Sequence, residues 1–143
     1  MAVPRSFSNS CPNRLKRFYE NRLNTFLRDY GISSECIPYL MVLAGTDSCS
    51  LKELTERTGL DRAHTTRVMS KLIGRGYAVD TDPAGKSYAA SLTAEGKALT
   101  EAIRRETAEV SASLLSCFTP EEQAQWDVLW NKMEDRIDEL LRP

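Results

Sequence analysis

The stretch that decides the fold covers residues 50–97 and reads SLKELTERTGLDRAHTTRVMSKLIGRGYAVDTDPAGKSYAASLTAEGK. Ser50 precedes a short helical pattern that Gly59 can close, and Asp61 can cap the helix that follows. Two β-prone runs, 77–79 and 87–92, then flank the turn sequence DPAGK, and a further helix cap comes after them. Helix, turn, basic helix, hairpin and helix in this order predict a winged helix-turn-helix.

The basic helix of this motif, residues 62–74, divides its side chains between two faces. Steps of about 100° per residue place one face inward against the domain; it consists of Thr65, Val68, Met69 and Leu72. The opposite face is small and polar with cations in and beside it; it consists of Ala63, Thr66, Arg67, Ser70 and Gly74, flanked by Arg62, His64 and Lys71. A major groove about 12 Å wide admits a helix whose leading face is small or polar. Residues 62–74 therefore predict a helix that reads DNA.

Individual side chains of this face suggest different contacts. Arg67 can offer a planar fork to guanine or clamp a phosphate. His64 could contact a base or a phosphate, or could simply be solvated. The predicted DNA contacts are Ser50, Arg62, Ala63, His64, Thr66, Arg67, Ser70, Lys71 and Lys86.

Charge is unevenly distributed along the chain. The formal net charge is −1, yet residues 61–76 carry four cations against one anion, whereas residues 101–143 carry ten acids against five bases. A solvated charged helix is the alternative interpretation of the basic segment. A basic element in an acidic remainder is typical of a protein that touches DNA over one patch.

The rest of the chain reads as helices. Apolar residues at helical spacing predict a first helix from Asn13 that Gly31 ends, and a second that Ser33 or Ser34 caps, with Pro38 in its first turn. Thr93 can cap a long helix, and a last helix follows the capping box at residues 119–122. The predicted fold is mainly α with a small β-wing, a six-helix winged helix-turn-helix.

The predicted organisation has three parts within a single compact chain. Residues 1–32 form an N-terminal arm and a dimerisation helix, residues 33–97 form the winged lobe, and residues 98–143 form further dimerisation helices. The terminal helices carry an apolar stripe that a 143-residue monomer could hardly cover, although packing within one chain is the alternative. The predicted dimer contacts are Leu15, Phe18, Trp126, Trp130, Met133, Ile137 and Leu140. A two-fold dimer would set its basic helices about 34 Å apart.

Other functional classes find little support in the sequence. One histidine, no glycine-rich phosphate loop and no nucleophile elbow argue against an enzyme. The four cysteines have neither CxxC spacing nor histidine-rich partners, so we expect free thiols and neither metal nor cofactor. No run of 18 apolar residues occurs and the opening MAVPRSFSNS lacks the apolar stretch of a signal peptide, so we expect a cytoplasmic protein without membrane contact.

From about Asn13 to Leu141, the chain resembles the MarR family of bacterial transcription factors. The resemblance is strongest in LKELTERTGLDRAHTTRVMSKLIGRGYAV and SLTAEGKAL, and Arg67, preceded by Thr66, falls on the arginine of the family's Thr-Arg pair. The resemblance implies six helices with a β-wing and a dimer intertwined through the first and last two helices. It also implies binding of a pseudo-palindromic double-stranded DNA operator, usually by a repressor that a small ligand or oxidation releases.

The wing departs from the family pattern. Where the family commonly carries Asp-x-Arg, with the arginine entering the minor groove, this chain has Ala84, Gly85 and Lys86. Lysine keeps the charge but loses the planar fork, and no aspartate is present to orient it. We therefore expect Lys86 to make a looser phosphate contact.

The resemblance suggests two switches, and the altered wing and near-neutral net charge leave one alternative function. A small aromatic or phenolic effector could occupy a crevice bordered by Tyr19, Tyr30, Tyr39 and Met41, although aromatics at helical spacing commonly form core. A thiol switch, as in the family's hydroperoxide-sensing branch, would use Cys11 and Cys36, the latter near a helix N-terminus whose dipole can lower a thiol pKa. A winged protein-interaction module without DNA binding is the further alternative.

Overall fold

The computed structural model describes residues 10–85 and 88–143, with side chains from Pro12 onward. Its helices are α1 (Ser10–Leu27), α2 (Ile37–Ala44), α3 (Leu51–Thr58), α4 (Arg62–Gly74), α5 (Ala94–Leu115) and α6 (Pro120–Leu141), and its strands are β1 (Ala78–Asp80) and β2 (Ala90–Leu92). Two short 3-10 turns, Arg28–Tyr30 and Ser34–Cys36, connect α1 to α2. Six helices with one small antiparallel sheet confirm the predicted fold class.

The chain divides into two compact units, one ending at Thr107 and the other beginning at Ala108. The boundary lies within α5, as does the predicted division between residues 97 and 98, which falls near the start of that helix. The predicted three-part organisation concerns dimerisation and stays a prediction. None of the helices among the described residues is long and apolar enough to cross a membrane.

Local capping signals position the helices as the sequence predicted. The Ser50 hydroxyl and the Glu53 side chain form a reciprocal capping box at the start of α3. Asp61 Oδ1 accepts a hydrogen bond from the His64 N–H at 2.8 Å and caps α4. Gly59 ends α3 with a φ of 69°, a left-handed conformation that glycine adopts without strain. The turn between α3 and α4 is therefore specified by its own residues.

The connection from α1 to α2 differs from the predicted one. α1 ends at Leu27, and Gly31 follows the first 3-10 turn with a φ of 71°. No serine caps α2, because the second 3-10 turn lies in between and its N-cap, Ser33, makes no side-chain cap hydrogen bond. The Ser34 N–H instead donates to Asn24 Oδ1 of α1 at 2.7 Å. A side chain of α1, ten residues earlier, therefore satisfies a backbone donor at the start of the second 3-10 turn.

The core of the first unit is built from α1 to α5 and the wing. Its largest fully buried side chains are Leu27, Tyr39, Leu40, Leu43, Leu54, Thr65, Val68, Met69, Leu72, Leu99, Thr100 and Ile103. Four of them come from one face of α4, so burial of that face fixes which side of the helix remains exposed.

β1 is displaced by one residue from the predicted run 77–79, and β2 is shorter than the predicted run 87–92. β1 and β2 pair Ala78 with Leu92 and Asp80 with Ala90, and Lys86 lies outside the described residues. A Cβ atom on Gly96, in the first turn of α5, would lie 1.9 Å from the Tyr77 carbonyl oxygen. Only glycine allows this approach of α5 to the wing.

The second unit exposes apolar side chains along α6. In the single chain Leu129 is 64% exposed, Leu140 is 67% exposed and Ile137 is 46% exposed. The rings of Trp126 and Trp130 stack with their centroids 5.3 Å apart. An apolar stripe of this kind on one helix is a surface that a partner would cover.

The Tyr88 hydroxyl is buried, and no hydrogen-bond partner reaches it among the residues that the structure describes. Burial, with a smaller contribution from the Asp80 carboxylate, raises the pKa of Tyr88 to about 12. Because this folded-state pKa exceeds the ordinary value of about 10, the titration of Tyr88 does not affect the free energy of unfolding below about pH 10. The free energy of unfolding falls as the pH rises toward 12, since the unfolded chain loses the phenol proton first.

Tyr88→Phe is expected to remove this alkaline loss of stability and to leave the free energy of unfolding near pH 7 unchanged or higher by about 1 kcal/mol, because no hydrogen bond is broken. Urea unfolding near pH 7 and near pH 11 measures both effects. Tyr77→Phe is the matched control, since the Tyr77 hydroxyl donates to the Tyr30 carbonyl at 2.9 Å and its removal should cost about 1 kcal/mol. A destabilised Tyr88→Phe variant near pH 7 would contradict the prediction.

Candidate DNA interface

The two faces of α4 confirm the division predicted from the sequence. Thr65, Val68, Met69 and Leu72 are buried. The opposite face is open to solvent; its exposed residues are Arg62, Ala63, Thr66, Arg67, Ser70 and Lys71, with His64 half-buried beside them. α4 therefore presents a small, polar and cationic surface.

Thr65 connects α4 to α2 and α3 through hydrogen bonds. Its hydroxyl donates to the Asp61 carbonyl at 2.9 Å and lies 3.0 Å from Thr55 Oγ1 on α3. The Tyr39 hydroxyl on α2 lies 3.2 Å from the same oxygen. One buried hydroxyl thus joins three helices, which restricts rotation of α4 about its axis.

Two cations of the exposed face, Arg67 and Lys71, already have partners. Arg67 Nη2 lies 2.6 Å from His64 Nδ1 and 3.7 Å from Glu35 Oε2. Lys71 Nζ donates to Glu35 Oε1 at 2.8 Å. The hydrogen bond from Lys71 lowers the pKa of the Glu35 carboxyl, and the same bond raises the pKa of Lys71. Both shifts favour the charged pair.

Sequence reasoning did not identify Glu35. It lies 36 residues before Lys71 and outside the helix-turn-helix, and a single acidic residue in a loop carries no sequence signal. The only available hint was its position just before the apolar pattern of α2, which places it near the start of a helix that packs in the lobe.

The remaining predicted contacts lie around α4. Arg62 lines a shallow groove of about 440 Å³ together with Lys52, Thr55 and Glu56. The Ser50 hydroxyl oxygen accepts the Glu53 N–H at 3.1 Å, so it has a structural role as a cap. Lys86 falls outside the described residues, and its predicted phosphate contact stays a prediction.

The predicted effector residues occupy different environments. Tyr39 is completely buried and its hydroxyl is engaged by Thr65. Tyr30 and Met41 are half-buried against the core, and Tyr19 is half-buried on α1. A separate groove of about 870 Å³, lined among others by Leu43, Lys97 and Arg104, contains none of the four. Tyr39 thus has no surface for an effector in this conformation.

The pKa of Cys36 is shifted in the direction opposite to the predicted one. The thiol is fully buried, and burial raises its pKa despite the backbone hydrogen bond at Ser33 that acts in the opposite direction. Desolvation of the thiolate outweighs the effect of the helix terminus. The side chain of Cys11 is not described. No group of three or more histidine, cysteine, aspartate or glutamate side chains among the described residues could hold a metal ion.

Comparison with known proteins identifies the fold that this arrangement of helices and strands adopts. The model of the IclR helix-turn-helix domain matches residues 40–82. SarZ of Staphylococcus aureus (strain MRSA252), an HTH-type transcriptional regulator, is 28% identical over 112 residues, which cover 77% of this chain and 73% of SarZ. A MarR transcriptional regulator from Methanosarcina mazei Go1 superposes with a TM-score of 0.85 at 23% identity, covering 96% of this chain and all of that one. The chain has the MarR fold.

Within the MarR fold, α3 and α4 are the helix-turn-helix and β1 and β2 form the wing. NadR, solved in complex with 4-hydroxyphenylacetate, shares the fold with a TM-score of 0.71 at 20% identity over 92% of this chain and 98% of NadR. The resemblance predicted from the sequence is therefore confirmed for the fold. Relatives in both sequence and structure bear the names of transcriptional regulators.

Proposed function

We propose that this chain is a transcriptional regulator that binds double-stranded DNA in a sequence-specific manner and is not an enzyme. It acts in the cytoplasm as a homodimeric repressor and inserts α4 into the major groove of a pseudo-palindromic operator. The names of its relatives and the MarR fold support this assignment.

The outward face of α4 is the observation that carries the proposal. Ala63, Thr66 and Ser70 are small enough to let the helix approach the bases, and Arg67 stands among them with two-thirds of its side chain exposed. The inward face is locked into the core, so the polar face is the one available to a ligand. Phosphate contacts from Arg62 and Lys71 would fix the orientation of the helix on the duplex.

The apolar stripe of α6 supports the dimer. Its exposed members are hydrophobic side chains that a two-fold partner would bury. A dimer also explains how one short helix per chain reaches useful affinity, because two copies about 34 Å apart contact successive major grooves. Leu15 and Phe18 of α1 are half-buried and stay predicted members of this interface.

The direct test is a gel shift with DNA from upstream of the coding region and a scrambled duplex of the same length. A dimer with about six phosphate contacts should lose about a thousandfold in affinity between 50 and 200 mM salt. The upstream duplex should bind more tightly than the scrambled one at both salt concentrations. Absence of binding to either duplex would instead favour the protein-interaction module.

An aromatic or phenolic effector is the favoured switch in this proposal. NadR with 4-hydroxyphenylacetate gives a precedent for such a ligand on this fold, and the buried Cys36 with its raised pKa weakens the thiol alternative. The same gel shift with added 4-hydroxyphenylacetate tests the effector. Peroxide treatment of a Cys11→Ser, Cys36→Ser variant tests the thiols, because release that persists in this variant excludes them.

A further inference from the structure

We propose that Glu35 is an internal anion that competes with DNA for Arg67 and Lys71 and thereby lowers the DNA affinity of α4. The inference rests on the proposed function, since it concerns how strongly the same helix binds. Its tests are chosen so that the two can fail separately.

The competition follows from the contacts of Glu35. One carboxylate oxygen accepts from Lys71 Nζ at 2.8 Å, and the other lies 3.7 Å from Arg67 Nη2. A phosphate that contacts either cation would have to displace this carboxylate or share the cation with it. Two cations of the DNA-reading face are thus partly neutralised before DNA arrives.

The backbone of Glu35 is held beside α4 by contacts on both sides. The preceding Ser34 N–H donates to Asn24 Oδ1 of α1 at 2.7 Å, and the following Cys36 is fully buried in the core. Only rotation of its own side chain can therefore remove the carboxylate from the helix. DNA binding would meet the negative charge of Glu35 at close range whether or not the ion pairs break.

The Glu35 pairs differ from the other ion pairs in the described parts of the chain. Those pairs, Lys16 with Glu20, Lys52 with Glu56, Glu101 with Arg104 and Arg136 with Glu139, each join residues three or four apart on one helix. Glu35 instead reaches from a 3-10 turn to two cations on α4, and its side chain is only 32% exposed. Because Glu35 lies on a different element, beside the exposed face of α4, its ion pairs would change DNA affinity. Ion pairs within a single surface helix would not.

The expected size of the effect is moderate. Exposed ion pairs each shift an equilibrium by about fivefold at most, and the screened repulsion between Glu35 and phosphates adds to the cost. Glu35→Gln should therefore raise DNA affinity by about threefold to tenfold at low salt. The gain should occur on operator and scrambled duplexes alike, because the competition concerns charge.

Fluorescence anisotropy with the upstream duplex compares the full chain with Glu35→Gln, Glu35→Asp and Glu101→Gln. Glu101→Gln is the matched control, since it removes the same charge from an exposed ion pair on α5 and should leave affinity unchanged. Glu35→Asp keeps the charge and should stay close to the unmodified chain. The same change is then made in a Lys71→Gln variant. There, Glu35→Gln should increase the logarithm of DNA affinity by at most half as much as in the unmodified chain, because Lys71, the principal partner of Glu35, is absent.

Equal or weaker binding by Glu35→Gln, with circular dichroism showing an intact fold, would overturn the inference while leaving the proposed function in place. An equal gain from Glu101→Gln would overturn it too, because net charge alone would then explain the effect. If neither the unmodified chain nor Glu35→Gln binds any duplex, the proposed function fails and the inference fails with it.

Discussion

Arg67→Ala is expected to weaken operator binding by about 100-fold to 1000-fold, the largest loss for any single side chain of α4. A bidentate arginine contact with guanine is worth about 1–3 kcal/mol of discrimination, and a dimer carries two copies. The side chain stands on the open face between Ala63 and Ser70 with 66% of its area exposed, so truncation would remove the proposed contact to DNA and leave the core intact. Anisotropy titrations on the operator measure the loss.

The pattern across operator variants separates base reading from phosphate contact. Arg67→Ala should reduce the preference for the operator over its point variants, whereas Lys86→Ala should weaken all duplexes equally and lower the salt slope by about two, one for each copy in the dimer. Arg105→Ala, which removes an exposed arginine from α5, is the control and should have no effect. Lys86→Ala as damaging as Arg67→Ala across the variants would show that the wing, too, reads sequence.

Ile137→Asp is expected to raise the dissociation constant of the homodimer by more than about 100-fold. In the proposed dimer, the two-fold axis would place two copies of the new carboxylate in an apolar interface, and unpaired buried charge costs several kcal/mol. Ile137 is 46% exposed in the single chain, so the fold of the protomer should survive. Sedimentation velocity measures association, and operator affinity should fall with it because a monomer makes half of the contacts.

Asn131→Asp provides the control for this variant. Asn131 is exposed on α6 about 120° around the helix from Ile137, so a carboxylate there should leave the dimer unchanged. A dimer that withstands Ile137→Asp would show that the α6 stripe is not the interface.

Features determined by neighbouring residues could be predicted from the sequence. The caps at Ser50, Asp61 and Thr119 are satisfied by donors three residues further along the chain, and such spacings are visible in any sequence. The inward position of Thr65 followed from helical periodicity alone. The fold and the exposed face of α4 could therefore be predicted from the sequence alone.

Features determined by distant contacts could not be predicted. The 3-10 turn before α2 forms where Ser34 meets Asn24 of α1. The partnership of Glu35 with Lys71 requires the folded lobe. Cys36 has a raised pKa because the core surrounds it, a desolvation that proximity to a helix terminus does not reveal.

The three-helix contact at Thr65 separates the parts of the lobe that determine its shape from those that determine its DNA sequence preference. Because Tyr39, Thr55 and Thr65 hold α4 in one rotational setting, replacement of Thr66 or Ser70 changes the chemistry offered to the bases without turning the helix. New operator preferences can therefore be engineered by exchanging outward residues alone. In the proposed regulator, the same separation would let a gene duplicate acquire a new regulatory target through a few surface substitutions while its core stays unchanged.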